Sequence, residues 1–293
     1  MKGKLWLVFA LFTTIAWGFW GALIDTPAQA GFPETLGYCV WSLTMIPPSL
    51  IALRVIRFKL DRNFRAVLMG CAVGFLGAGG QLILFRTLRT APAYLVFPFI
   101  ALSPVVTILM SYAILKERAT YRGWIGIFLA LAAGVLLSME QNQQQGSGYT
   151  WIILSSLVFI FWGVQGYIIK FANRTMKAES IFFYMMLTGL LLAPIALAMT
   201  DFSQKINWGF KGPYLAAMIQ ILNAVGALFL VYSFRYGKAI IISPLTNAGA
   251  PMLTVIISLI ISGVLPPNIK VAGMVLALTA AFLMAIEPEE ETG

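Results

Sequence analysis

The chain has 293 residues, 60% of them hydrophobic and only 11% charged, where a soluble domain carries roughly 25% charged residues. Twenty basic and eleven acidic side chains cannot coat a water-exposed surface of this size, and a mean hydropathy of +0.87 agrees, so the chain is an integral membrane protein. There is no histidine, which excludes Ser-His-Asp triads, histidine zinc sites and histidine acid–base chemistry.

The first thirty residues superficially look like a signal peptide. Lys2 and Lys4 precede an apolar run over 5–24, and Ala28-Gln29-Ala30 follows. The run is about twenty residues, longer than an h-region of about 7–15 but suited to a membrane span. It is read as a retained first helix. Further along, apolar stretches separated by short polar breaks give ten candidate spans, at 4–24, 34–53, 66–88, 92–115, 122–139, 150–170, 179–199, 212–234, 238–263 and 269–286. Each has the roughly 17–25 residues a helix needs to cross the hydrocarbon core. The runs are continuous and do not alternate, which excludes a β-barrel. The predicted fold is all-α, with ten transmembrane helices. Cys39 and Cys71 fall inside these runs and support neither a disulfide nor a thiolate metal site.

The basic residues orient the spans. Lys2, Lys4, Arg54, Arg57, Lys59, Arg62, Arg65, Lys116, Arg118, Arg122, Lys170, Arg174, Lys177, Arg235 and Lys238 fall on one side; Arg86, Arg89, Lys205, Lys211 and Lys270 fall on the other. The positive-inside bias places the first group and both termini in the cytoplasm, with loops 140–148 and 201–211 outside. The net charge of +9 is thereby explained without a nucleic-acid partner.

The chain is internally duplicated. At an offset of 145, Trp6, Trp17, Gly18, Gly21 and Glu34 meet Trp151, Trp162, Gly163, Gly166 and Glu179. At 146, Arg89, Ala93 and Pro98 meet Arg235, Ala239 and Pro244; at 147, Pro104, Thr107 and Ser111 meet Pro251, Thr254 and Ser258. The repeats are 1–143 and 149–293, together forming one membrane domain. Five spans per repeat is an odd number, so the second repeat enters the membrane inverted, the arrangement of carriers that alternate access around a site between the halves.

Ala91-Pro92-Ala93, the run Leu102-Ser103-Pro104-Val105, the step Leu115-Lys116-Glu117-Arg118 and the glycines Gly123, Gly126 and Gly134 resemble the EamA-type drug/metabolite transporter family. That family carries a Pro-Val in span four, a Leu-x-Glu-Arg-like step after it and a glycine-rich fifth span. The second half departs from it, with Gly263-Val264-Leu265 in place of the Lys-Glu-Arg step. The resemblance covers the whole chain and implies a ten-helix metabolite carrier with cytoplasmic termini, expected in a bacterial inner (plasma) membrane. It does not fix the substrate.

Within this frame the polar and aromatic residues deep in spans are the candidate substrate contacts. Trp17 and Trp162 lie too deep for an interfacial belt, and Trp20 and Gln165 share their helices. Gln81 and Asn223 are amides at depth, costly unless paired or hydrated. Span three also carries the stripe Gly70, Gly74, Gly77 and Gly80. Ser103, Thr107, Thr246 and Asn247 border the prolines Pro98, Pro104, Pro244 and Pro251, which are candidate kinks. The segment Ser243-Pro244-Leu245-Thr246-Asn247-Ala248-Gly249-Ala250-Pro251 reads as an interrupted helix, and Asn247 as the foremost contact. Gly126, Ala130 and Gly134 in span five, and Gly273, Ala277 and Ala281 in span ten, read as packing surfaces or as faces for a homodimer. Glu117 reads as part of a cytoplasmic salt bridge.

No carboxylate occupies a span centre, so an enzyme is not expected, nor a metal or cofactor. The expected function is uptake or efflux of a small neutral or zwitterionic metabolite, such as an amino acid or a sugar, by alternating access. The alternative is a receptor or scaffold of the same fold without transport. Facilitated diffusion or weakly coupled exchange is favoured, with proton coupling through Asp25 as the alternative.

Overall fold

The computed structural model describes residues 4–88, 96, 100–139, 150–263 and 267–286. Among them every regular element is helical. In chain order they are α1 (Leu5–Leu23), the short α2 (Thr26–Gln29), α3 (Glu34–Thr44), α4 (Ile46–Val55), α5 (Phe64–Leu88), α6 (Pro104–Ala113), α7 (Tyr121–Ser138), α8 (Thr150–Ala172), α9 (Ala178–Ala198), α10 (Leu215–Tyr236), α11 (Ala239–Ser262) and α12 (Asn268–Ala285). A kinked segment, Phe210–Tyr214, with Gly212 at non-helical backbone angles, leads into α10.

Among the described residues eight helical stretches are long and apolar enough to cross a membrane, which makes this a multi-pass membrane protein. Two shorter apolar helices, Pro104–Ala113 and Tyr121–Leu137, stand where the fourth and fifth spans were expected. The second span is not one straight helix. Pro47 and Pro48 start α4, and Met45 separates it from α3, because proline is tolerated in the first turn, where its missing N–H has no partner to lose.

The opposite outcome holds for the segment expected to be interrupted. Ser243 to Pro251 lies inside the unbroken α11, with Pro244 and Pro251 both in its interior. Thr246 Oγ1 donates to Ile242 O at 2.9 Å, and Asn247 Nδ2 donates to Ser243 O at 2.9 Å. Neither bond goes to the carbonyl of Ile240 or Asn247, the two that Pro244 and Pro251 leave without an intrahelical donor, and α11 continues through both prolines. Pro104 sits at the start of α6, directly after a turn at residues 101–103. Pro98 lies outside the described residues.

The halves interlock and do not stand side by side. Helix α1 packs on α10 and α11, while its repeat counterpart α8 packs on α5 and α6. The contacts recur with the halves exchanged. Thr254 Oγ1 donates to Gly18 O at 3.1 Å, and Thr107 Oγ1 donates to Gly163 O at 2.7 Å. The small-residue stripes of α7 and α12 meet each other: Gly126 faces Met284, and Gly273 faces Leu137. Ala130 and Ala277 are buried there, so these residues serve packing within the chain.

The loops repeat the pattern. Asp61, before α5, accepts from Lys177 N at 2.8 Å, the N-cap residue of α9. Asn207, its counterpart 146 positions on, donates from its backbone N to Gly31 O at 3.0 Å and from Nδ2 to Ala30 O at 2.9 Å. That fixes the turn leading to α3.

Candidate functional site

A cavity of about 330 Å³ lies between the two halves, at the small end of the range for organic ligands of roughly 300–1,000 Å³. Of the ten residues expected to touch a substrate, nine line it: Trp17, Trp20, Gln81, Ser103, Trp162, Gln165, Asn223, Thr246 and Asn247. Thr107 does not. Its side chain is fully buried against α8, where its hydroxyl bonds Gly163 O. Pro251 also lines the cavity. Asp25 lies outside the lining, exposed in the turn between α1 and α2.

Close helix approach sets the tryptophans in place. Trp17 lies directly on Gly226 of α10, and Trp162 directly on Gly80 of α5. A side chain at either glycine would occupy the space of the ring. Most of the glycine stripe in α5 is used in the same way: Gly70 and Gly74 receive Tyr184 and Thr188 of α9, and Gly77 receives Gln165.

The indole donors point into the wall. Trp17 Nε1 donates to Asn223 O at 3.2 Å, Trp162 Nε1 to Gly77 O at 3.3 Å and Trp20 Nε1 to the side-chain Oε1 of Gln220 at 3.0 Å. Gln165 Nε2 donates to Val73 O at 3.1 Å. Asn247 Nδ2 and Thr246 Oγ1 are likewise engaged within α11. The side-chain oxygens of Gln165 and Asn247 take no part in these bonds.

Residues that the sequence did not single out complete the wall. Trp41 enters from α3, Met45 from the break between α3 and α4, Met185 from α9, and Phe234 from α10. Trp41 could have been recognised, since it lies well inside the second predicted span. The signal for Met45 was the Pro47-Pro48 pair after it. Among the described residues no Asp, Glu, Lys or Arg lines the cavity, and no metal-binding cluster of His, Cys, Asp or Glu occurs.

A polytopic helical membrane protein with an uncharged, aromatic chamber between its halves has the form of a small-solute carrier. The chain matches the EamA-like transporter family twice, over residues 4–139 and 148–286, and it belongs to that family. It is 26% identical over 215 residues to Protein LicB of Haemophilus influenzae (strain ATCC 51907 / DSM 11121 / KW20 / Rd), a match covering 70% of this chain and 72% of LicB. A solved crystal structure of a protein shares the fold, with a TM-score of 0.75 at 17% identity over 95% of this chain and 98% of the other.

Proposed function

We propose that this chain is a secondary transporter that moves a small neutral or zwitterionic organic solute by alternating access. Its ten spans are two inverted five-helix repeats, and both termini face the cytoplasm of a bacterial inner membrane. The observation that carries the reading is the chamber itself. It lies between repeats whose contacts recur with the halves exchanged, and its described lining has four tryptophans and several amides but no charged side chain. An anion there would lose hydration without gaining a counter-ion. The tryptophan faces suit the apolar body of a solute, or the ammonium end of a zwitterion.

One observation favours a second reading, a monovalent organic cation. Three of the four indole N–H donors, those of Trp17, Trp20 and Trp162, are spent on the wall, so there a solute meets ring faces, a surface of negative electrostatic sign.

Flux into reconstituted vesicles tests both readings, with a sugar, an amino acid, an organic cation and a sugar phosphate as solutes. Movement of one of the first three is expected, with Asn247→Ala and Trp162→Ala each lowering it about tenfold or more while insertion is preserved. Efficient sugar-phosphate transport with both substitutions silent would refute the site and the substrate class. Absence of flux for every solute would favour a receptor or scaffold.

A further inference from the structure

We propose that Glu117 and Lys170 form the gate that closes the cavity at its cytoplasmic end. This inference rests on the alternating-access reading above. Both residues are only 4% exposed, and Lys170 Nζ stands 4.0 Å from Glu117 Oε1. Glu117 belongs to the link between α6 and α7 and Lys170 to the last turn of α8, and their further partners are Gly237, just after α10, and Ile240, in the first turn of α11.

Each charge is matched to a helix end. Glu117 Oε2 accepts from Ile240 N at 3.0 Å, in the first turn of α11, where the helix dipole favours an anion. Lys170 Nζ donates to Gly237 O at 2.7 Å, at the carboxyl end of α10, where it favours a cation. Lys238 Nζ adds a bond to Arg118 O at 2.9 Å. The pair thus ties the link from the first half to two helices of the second.

Its position puts it across the cavity's end. Ile169, adjacent to Lys170, lines the cavity; so do Phe234, three residues before Gly237, and Ser243, three residues after Ile240. The opposite end cannot form the same pair, because the repeat positions of Lys170 and Glu117 hold Asp25 and Val264. A buried ion pair also suits a two-state closure. Dry separation of the charges is costly, whereas water entering an opened passage hydrates both of them.

The test uses the full chain with Cys39 and Cys71 replaced by alanine and a reporter, Ser243→Cys, in the cavity wall. An impermeant thiol reagent is applied to vesicles of both orientations. Glu117→Gln and Lys170→Met are each expected to speed modification from the Lys170 side about tenfold and to slow it from the other side. Lys170→Arg, which keeps the charge and the donor, is expected to stay close to the parent. Unchanged access in either folded neutral variant, or slower modification from the Lys170 side, would overturn the gate. If a neutral variant fails to fold, the other decides. The assay requires no substrate, so altered access in a protein that moves no solute would support the gate and refute the transport reading. Lost transport with unaltered access would do the reverse.

Discussion

Trp17 and Trp162 occupy equivalent positions in the two repeats, and each sends its indole N–H across to a backbone carbonyl of the other half, Asn223 O at 3.2 Å and Gly77 O at 3.3 Å. The acceptors are themselves repeat counterparts, 146 positions apart. So are Gly226 and Gly80, the glycines on which the rings lie. The walls of the cavity are therefore built twice from one pattern, and each ring's orientation is fixed by the half to which it does not belong.

Gly80→Ala and Gly226→Ala should each displace a tryptophan. Overpacking of this kind costs about 1–3 kcal/mol, and thermal unfolding in detergent should register it as a lower midpoint. Half-saturation for the transported solute should rise in parallel. Gly79→Ala is the control, because a methyl group there meets Phe161 at an ordinary 3.6 Å. Equal effects at positions 79 and 80 would refute the assignment.

The repeat-equivalent threonines separate packing from solute contact. Thr107 and Thr254 each bond a glycine carbonyl across the halves, but only Thr254 lines the cavity. Thr107→Val and Thr254→Val should each cost about 1 kcal/mol in stability. Only Thr254→Val should change the apparent affinity for solute. An affinity change confined to the Thr107 variant would show that the cavity wall is wrongly drawn.

Facilitated diffusion predicts that flux survives collapse of the proton gradient. Asp25→Asn should then leave transport within about twofold of the parent, since a coupling carboxylate must be reached from both sides and Asp25 lies outside the cavity lining. Loss of uphill accumulation in a protonophore, together with uncoupling by Asp25→Asn, would establish proton coupling instead.

Much of the site was legible because membrane burial makes polar residues conspicuous. Gln81, Gln165, Asn223 and the deep tryptophans stand out in apolar runs, and the repeat offset alone pairs Trp17 with Trp162. What escaped depends on tertiary geometry. Thr107 and Thr254 share a sequence environment, yet only one faces the cavity. The prolines of α11 looked like a break, but the helix runs through both of them, while Pro47 and Pro48 divide a span that had looked continuous. Lying at a span end does not by itself leave a charge in water. Lys170 and Glu179 are buried, Glu179 accepting a 2.8 Å bond from Tyr232, because other helices cover them.

The interlock of α1 with α10 and α11 has a consequence for how the chain is made. The bonds that seat α1 span sequence separations of 206 and 236 residues, so α1 leaves the ribosome long before the partners that hold it. Until then its polar groups, Thr13 among them, must rest against lipid or transient neighbours; Thr13 eventually donates to Gly226 O at 3.1 Å. Such high contact order postpones native assembly. It also makes the amino-terminal half a poor independent fragment, whereas two halves produced separately in one membrane carry all the surfaces needed to find each other.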